Sequence, residues 1–201
     1  MGDQDESEFV ARLVAGDKFA FRSLVNEHAG WMLQLAIRFT KSEAIAAECV
    51  QESFLMVFRK VTDFEGRSSL RTWMRKILVS QALMKLRKSA QAEEYPLEQI
   101  EPEFDRNGFL IGPVSISDEP AEALVSRREV SEIVRVAIAE LPDPFRAILL
   151  LRDIEGYSTR ETAELLEISP GAVRTRLHRA RSELKKQLLP TMGPKSLDEI
   201  L

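Results

Sequence analysis

A chain of 201 residues is long enough for one domain or two small ones, each with a buried core. No apolar run approaches the roughly 18–20 residues of a membrane span, and a lone cysteine, Cys49, excludes an internal disulfide and a cysteine-rich metal site. The net charge of −4 conceals an uneven distribution: +3 over residues 1–90, −8 over 91–122 and +1 over 123–201.

The acidic start, Met1-Gly2-Asp3-Gln4-Asp5-Glu6, has no apolar stretch behind it and is unlike a secretory signal, so a cytoplasmic setting is expected. Residues 7–88 read as helical. Phe9, Leu13, Phe19, Leu24 and Val25 open an apolar pattern that Trp31, Leu35 and Phe39 continue at steps of four. Ser42 is placed to cap a second helix through Cys49, Val50, Phe54, Val57 and Val61. Thr62 to Ser68 break the period and carry Gly66, which predicts a loop. Helix resumes after Ser68, with Leu70, Trp73, Ile77 and Met84 expected on one face.

That third helix is unusual in its charge. From Gly66 to Ala92 there is no acid, while Arg67, Arg71, Arg75, Lys76, Lys85, Arg87 and Lys88 are cationic. Cations beside Phe64 and Trp73 are the components of a surface for single-stranded nucleic acid, whose bases stack on aromatics while phosphates meet the cations. The competing reading is a packed Trp73 with a solvated charge run. Pro96, Pro102, Gly108, Gly112, Pro113 and Pro120 among acidic residues then mark a flexible linker over 91–122. Helix returns near Glu122, through Val130, Ile133, Val134, Ala137 and Leu141, and a short helix is expected over Phe145–Asp153.

The sharpest signal follows. Ser158-Thr159-Arg160-Glu161 has the spacing of a capping box, and Ser169-Pro170 supplies an N-cap with proline at the first helical position. Two capped helices joined by so few residues predict a helix-turn-helix. On the second helix Val173, Leu177, Ala180 and Leu184 are expected inward. Gly171, Arg174, Thr175, Arg176, His178 and Arg179 occupy the other face and its flanks, with residue types suited to base edges in a major groove. A plain helical hairpin with a solvated basic face is the bland alternative. His178 has no neighbouring ligand and is a groove or surface residue.

These residues resemble the extracytoplasmic-function (ECF) group of bacterial sigma factors. The first half is similar in Val50-Gln51-Glu52-Ser53-Phe54-Leu55 and in the run from Phe64 to Met74; the second in Leu141-Pro142, Leu150 to Ser158, Glu161-Thr162-Ala163 and Gly171 to Arg181. The resemblance implies an all-α protein of two small domains: 7–90, docking on core RNA polymerase and melting the −10 element; and 123–190, a helix-turn-helix reading the −35 element. It implies core docking through Glu48, Gln51 and Glu52 on the clamp of the largest subunit, with a further contact to the flap. Phe64, Arg67, Ser68, Arg71, Trp73, Arg75, Lys76 and Ser80 would meet −10 DNA. Gly171, Arg174, Thr175, Arg176, His178 and Arg179 would meet −35 DNA.

The group usually has Asn where this chain has Ser80, and favours Leu where it has Cys49; the latter reads as a small core residue. Promoter elements about 17 base pairs apart lie roughly 58 Å apart. Some 35 flexible residues average about 33 Å end to end but extend beyond about 110 Å, so the linker spans that distance when drawn out. The resemblance further implies an anti-sigma partner, no cofactor, no metal, no catalysis and no membrane insertion. A free-standing dimeric helix-turn-helix regulator is the other function class that fits the second half; the docking motif and basic helix of the first half argue against it. An enzyme lacks support, since no phosphate loop, metal cluster or nucleophile motif is present.

Overall fold

The computed structural model describes residues 3–92 and 121–197; among these every regular element is helical. The acidic linker expected over 91–122 lies outside the described residues except at its ends, where 91–92 and 121–122 are helical. The chain divides into two compact units, residues 1–95 and 96–201.

The first unit holds α1 (Asp3–Val14), α2 (Lys18–Thr40), α3 (Glu43–Lys60) and α4 (Leu70–Ala92). The break between α1 and α2 falls inside a stretch whose apolar pattern reads as continuous. Gly16 takes φ +77°, which favours glycine, and Asp17 caps α2 by accepting from Phe19 N at 2.8 Å and Ala20 N at 3.3 Å. Arg12 from α1 grips the same carboxylate at 2.7 Å. Ser42 caps α3, accepting from Ile45 N at 3.4 Å.

Leu24, Met32, Ala36 and Phe39 of α2 meet Ala46, Cys49 and Val57 of α3 and Met74, Leu78 and Ala82 of α4 in one buried core. Removing a side chain such as Phe39 from it would cost about 3–5 kcal/mol. The buried side of α4 is Leu70, Met74, Leu78, Val79, Ala82 and Leu83; of the expected stripe Leu70 is buried, Trp73 and Ile77 are half-buried and Met84 is 46% exposed. Apolar residues occupy almost every face of α4, so two periodic stripes fit equally, and packing against α2 and α3 selects between them.

The second unit holds α5 (Ala121–Glu140), α6 (Asp143–Leu149), α7 (Thr159–Leu166) and α8 (Pro170–Leu197). Helix α6 starts two residues earlier than expected, at Asp143, and passes into a π-helical turn over Leu150–Ile154, closed by Glu155 N donating to Leu150 O at 2.8 Å. Arg146, 1% exposed, staples this corner: it pairs with Asp143 at 2.8 Å and donates to Leu141 O at 3.1 Å. Leu141, Ile148, Leu149 and Leu151 pack with Val173, Ala180, Leu184 and Leu188 of α8 in the core of this unit.

Candidate nucleic-acid interface

In the second unit local chemistry sets the helix-turn-helix. Ser158 Oγ accepts from Glu161 N at 3.1 Å while Glu161 Oε2 accepts from Ser158 N at 2.9 Å, so the capping box is reciprocal. Helix α7 ends at Glu167 in the left-handed region, φ 56°, and Ile168 N reaches back to Ala163 O at 3.1 Å. Ser169 Oγ then accepts from Ala172 N at 3.1 Å and α8 begins at Pro170.

Val173, Leu177, Ala180 and Leu184 are buried along α8, as the spacing predicts. Gly171, Arg174 and His178 are exposed on the other side, with Thr175 and Arg179 half-exposed beside them. Arg176 lies on the flank nearer the core, half-buried, and desolvation lowers its guanidinium pKa. A Cβ at Gly171 would meet only Ser169 Oγ, at 3.8 Å, so the fold itself does not demand glycine there. Arg181, adjoining this face, donates from Nε at 3.0 Å and Nη2 at 2.7 Å to both carboxylate oxygens of Asp153. That bidentate pair ties α8 to the π turn.

In the first unit a 3-10 turn over Val61–Asp63 leads into the loop Phe64–Ser69, where Gly66 takes φ +69°. The Phe64 and Trp73 rings lie 5.4 Å apart at 53°, both half-buried, so Trp73 leans on the loop rather than entering the core. Ser68 and Arg67 are exposed, the latter paired with Glu65. Ser69 Oγ accepts from Thr72 N at 3.2 Å, and Glu6 of α1 accepts from Leu70 N at 2.8 Å, so the first turn of α4 is capped by two side chains. Arg71 and Lys76 are exposed and Arg75 is half-buried; Ser80 Oγ donates to Lys76 O at 3.0 Å, which directs its hydroxyl to its own helix.

On α3, Gln51 is exposed, whereas Glu48 and Glu52 flank Lys85 of α4 at 3.1 and 3.0 Å. The Lys85 pKa is raised, first by Glu52 and then by Glu48. Lys85, one of the seven cations, therefore ties α3 to α4 rather than facing solvent alone. Between α2 and α3 runs an apolar groove of about 540 Å³, lined by Phe21, Val25, Phe54, Leu55 and Phe58 with Gln51 at its edge. Phe58 is 60% exposed and Leu55 50%, more apolar surface than a solvated helix face needs. Cys49 is buried and burial raises its thiol pKa, as befits a core residue.

Sequence reasoning did not foresee the ties of Glu6 to Leu70, of Lys85 to Glu48 and Glu52, of Asp153 to Arg181 and of Trp31 to Arg71, each of which joins two elements, nor the His28–Trp31 bond, which lies within α2 three residues apart. Among the described residues no group of three His, Cys, Asp or Glu side chains is placed to hold a metal ion, and no helix is long and apolar enough to cross a membrane.

Residues 24–92 match the family described as Sigma-70 region 2, and residues 131–184 match Sigma-70, region 4. The chain is 32% identical to the ECF RNA polymerase sigma-E factor of Haemophilus influenzae, over 93% of this chain and 97% of that protein. It is 30% identical to the RNA polymerase sigma-H factor of Pseudomonas aeruginosa, over 94% and 96% of the two chains. Among solved structures it is similar in fold to CnrH, seen in complex with the cytosolic domain of CnrY, with a TM-score of 0.50, 22% identity, and coverage of 92% of this chain and 98% of that one.

Proposed function

The chain belongs to the ECF RNA polymerase sigma factors, and on that footing we propose how its surfaces divide the work of initiation. It is a promoter-specific transcription initiation factor, not an enzyme. The outward side of α8 reads the −35 element: Arg174 and His178 stand free on the exposed face, and Thr175 and Arg179 flank them. Gly171 gives the helix start a close approach, and half-buried Arg176 meets the backbone from the flank. In the other unit the Phe64–Ser69 loop, including Arg67 and Ser68, takes a melted −10 base. Arg71, Trp73, Arg75, Lys76 and Ser80 line the strand beyond it.

Core polymerase docks on α3 through Gln51 and the outward edges of Glu48 and Glu52, with the apolar groove beside them as its anchor. The working boundaries are residues 7–90 for docking and melting, 91–122 for the linker and 123–190 for −35 reading. The second unit adds the flap contact. CnrH was solved with the cytosolic domain of CnrY, and a sigma factor of Bartonella quintana with an anti-sigma factor; the same reading gives this chain an anti-sigma partner and a cytoplasmic location.

One observation carries the reading. The exposed cations of α8 lie opposite a fully buried stripe, while a second, separate unit presents a capped basic helix beside an aromatic pair. Each footprint alone is small and the linker is acidic. The free protein should therefore bind duplex promoter weakly at physiological salt, and bind and open it once core polymerase is added. A gel shift with permanganate footprinting, with and without core enzyme, measures both. Tight palindrome-specific binding without polymerase and no melted bases with it would favour a dimeric regulator instead.

A further inference from the structure

We infer that His28 and Trp31 are positioning residues for Arg71, fixing where its guanidinium meets the displaced promoter strand. The inference rests on the reading that α4 and its loop hold that strand. His28 and Trp31 stand one turn apart on α2, and Arg71 lies in the first turn of α4. Trp31 Nε1 donates to His28 Nδ1 at 2.9 Å, and the two rings meet edge-on, 6.0 Å apart at 79°. The guanidinium carbon of Arg71 sits 4.8 Å from the centre of the indole ring.

Each contact removes a different freedom. An indole N–H is only a donor, so the acceptor on His28 sets the rotation of the ring. The ring face then offers the guanidinium an attractive seat. An arginine otherwise loses rotamer entropy when it binds a strand, and pre-seating reduces that loss. Arg71 remains exposed, so its N–H edge stays available to phosphate or base while one face rests on Trp31. Core packing alone explains a buried histidine, but not a cation drawn from another helix onto its tryptophan partner.

The bond requires a neutral imidazole with its proton on Nε2. His28 is 7% exposed. Burial is the main cause holding its pKa below 6.5; Arg71 of α4 adds to the shift, and Glu27 of α2 and Glu6 of α1 oppose it. The seat is therefore intact above pH 6.5 and is lost as pH falls through the lowered value.

The test uses the full chain in holoenzyme, with promoter opening read by permanganate reactivity across pH. His28→Leu and Trp31→Leu should each lower opening about two- to fivefold, and neither should lower it further in an Arg71→Ala background. His28→Asn, whose Oδ1 replaces Nδ1 as acceptor, should open promoters as the native chain does at neutral pH and lack the native loss as pH falls through the lowered His28 value. If His28→Leu does not fold, Trp31→Phe, which keeps the ring and loses the donor, stands in its place in the cycle. Defects that persist undiminished beside Arg71→Ala, or a His28→Asn chain with the native pH profile, overturn the positioning role alone. An Arg71→Ala chain that opens promoters as well as the native one overturns the strand reading at Arg71, and this inference with it.

Discussion

Replacing Arg181 with Met should loosen α8 from the turn that supports it. Arg181 holds both oxygens of Asp153, at 2.7 and 3.0 Å, and the two side chains are 24% and 9% exposed. Exposed ion pairs contribute about 0–1 kcal/mol, whereas breaking a fully buried one costs about 3–5 kcal/mol. This pair lies between those limits: the substitution removes two charge-assisted hydrogen bonds and leaves a shielded carboxylate behind. We therefore expect a loss of about 2 kcal/mol, which for a unit of this size lowers the melting temperature by about 8–16 °C. Circular dichroism melts of the full chain follow both helical units, and fluorescence of Trp31 and Trp73, which lie in the first unit alone, identifies the transition that belongs to the second. Joining Asp153→Leu to Arg181→Met removes the stranded charge and should recover most of the loss. A single variant that melts within about 2 °C of the native chain, or a double variant that loses the sum of both singles, would refute the coupling.

Arg174→Ala and Arg179→Ala should each cost about 1–3 kcal/mol of discrimination at particular −35 positions, measured by transcription from a set of single-base promoter variants. Gln51→Ala combined with Glu52→Ala should weaken binding to core polymerase on the order of tenfold. A melt beside the pull-down separates docking from the loss of the Glu52–Lys85 tie. The Asp17 carboxyl is held below 3.8 by Arg12 first and by the Phe19 and Ala20 amides it caps. Its contribution to stability is therefore present above pH 3.8 and lost as pH falls through the lowered value. Asp17→Asn, which keeps a capping oxygen without the charge, should show a shallower acid-side loss in melts taken across that range.

What could be read from the sequence was whatever depends on neighbours along the chain. The capping box at Ser158 and Glu161, the cap at Ser169 and the stripe Val173–Leu177–Ala180–Leu184 involve residues within one or two turns, so spacing alone specifies them. The family motifs are local strings too, and they placed the two units in order. Where local patterns were degenerate the reading failed. Gly16-Asp17 interrupts a stretch whose apolar residues continue in phase, and α4 offers two apolar stripes of which packing buries only one. The π turn at Leu150–Ile154 is an apolar run that looks like ordinary helix until Glu155 reaches back to Leu150. Tertiary structure alone decided which charges are committed and which are presented. Lys85 is taken by Glu48 and Glu52 and Arg181 by Asp153, while Arg71 is seated on Trp31, because these partners meet only when helices pack. An ion pair depends on a few ångströms of separation in space, and helix packing sets that distance independently of the number of residues between the partners.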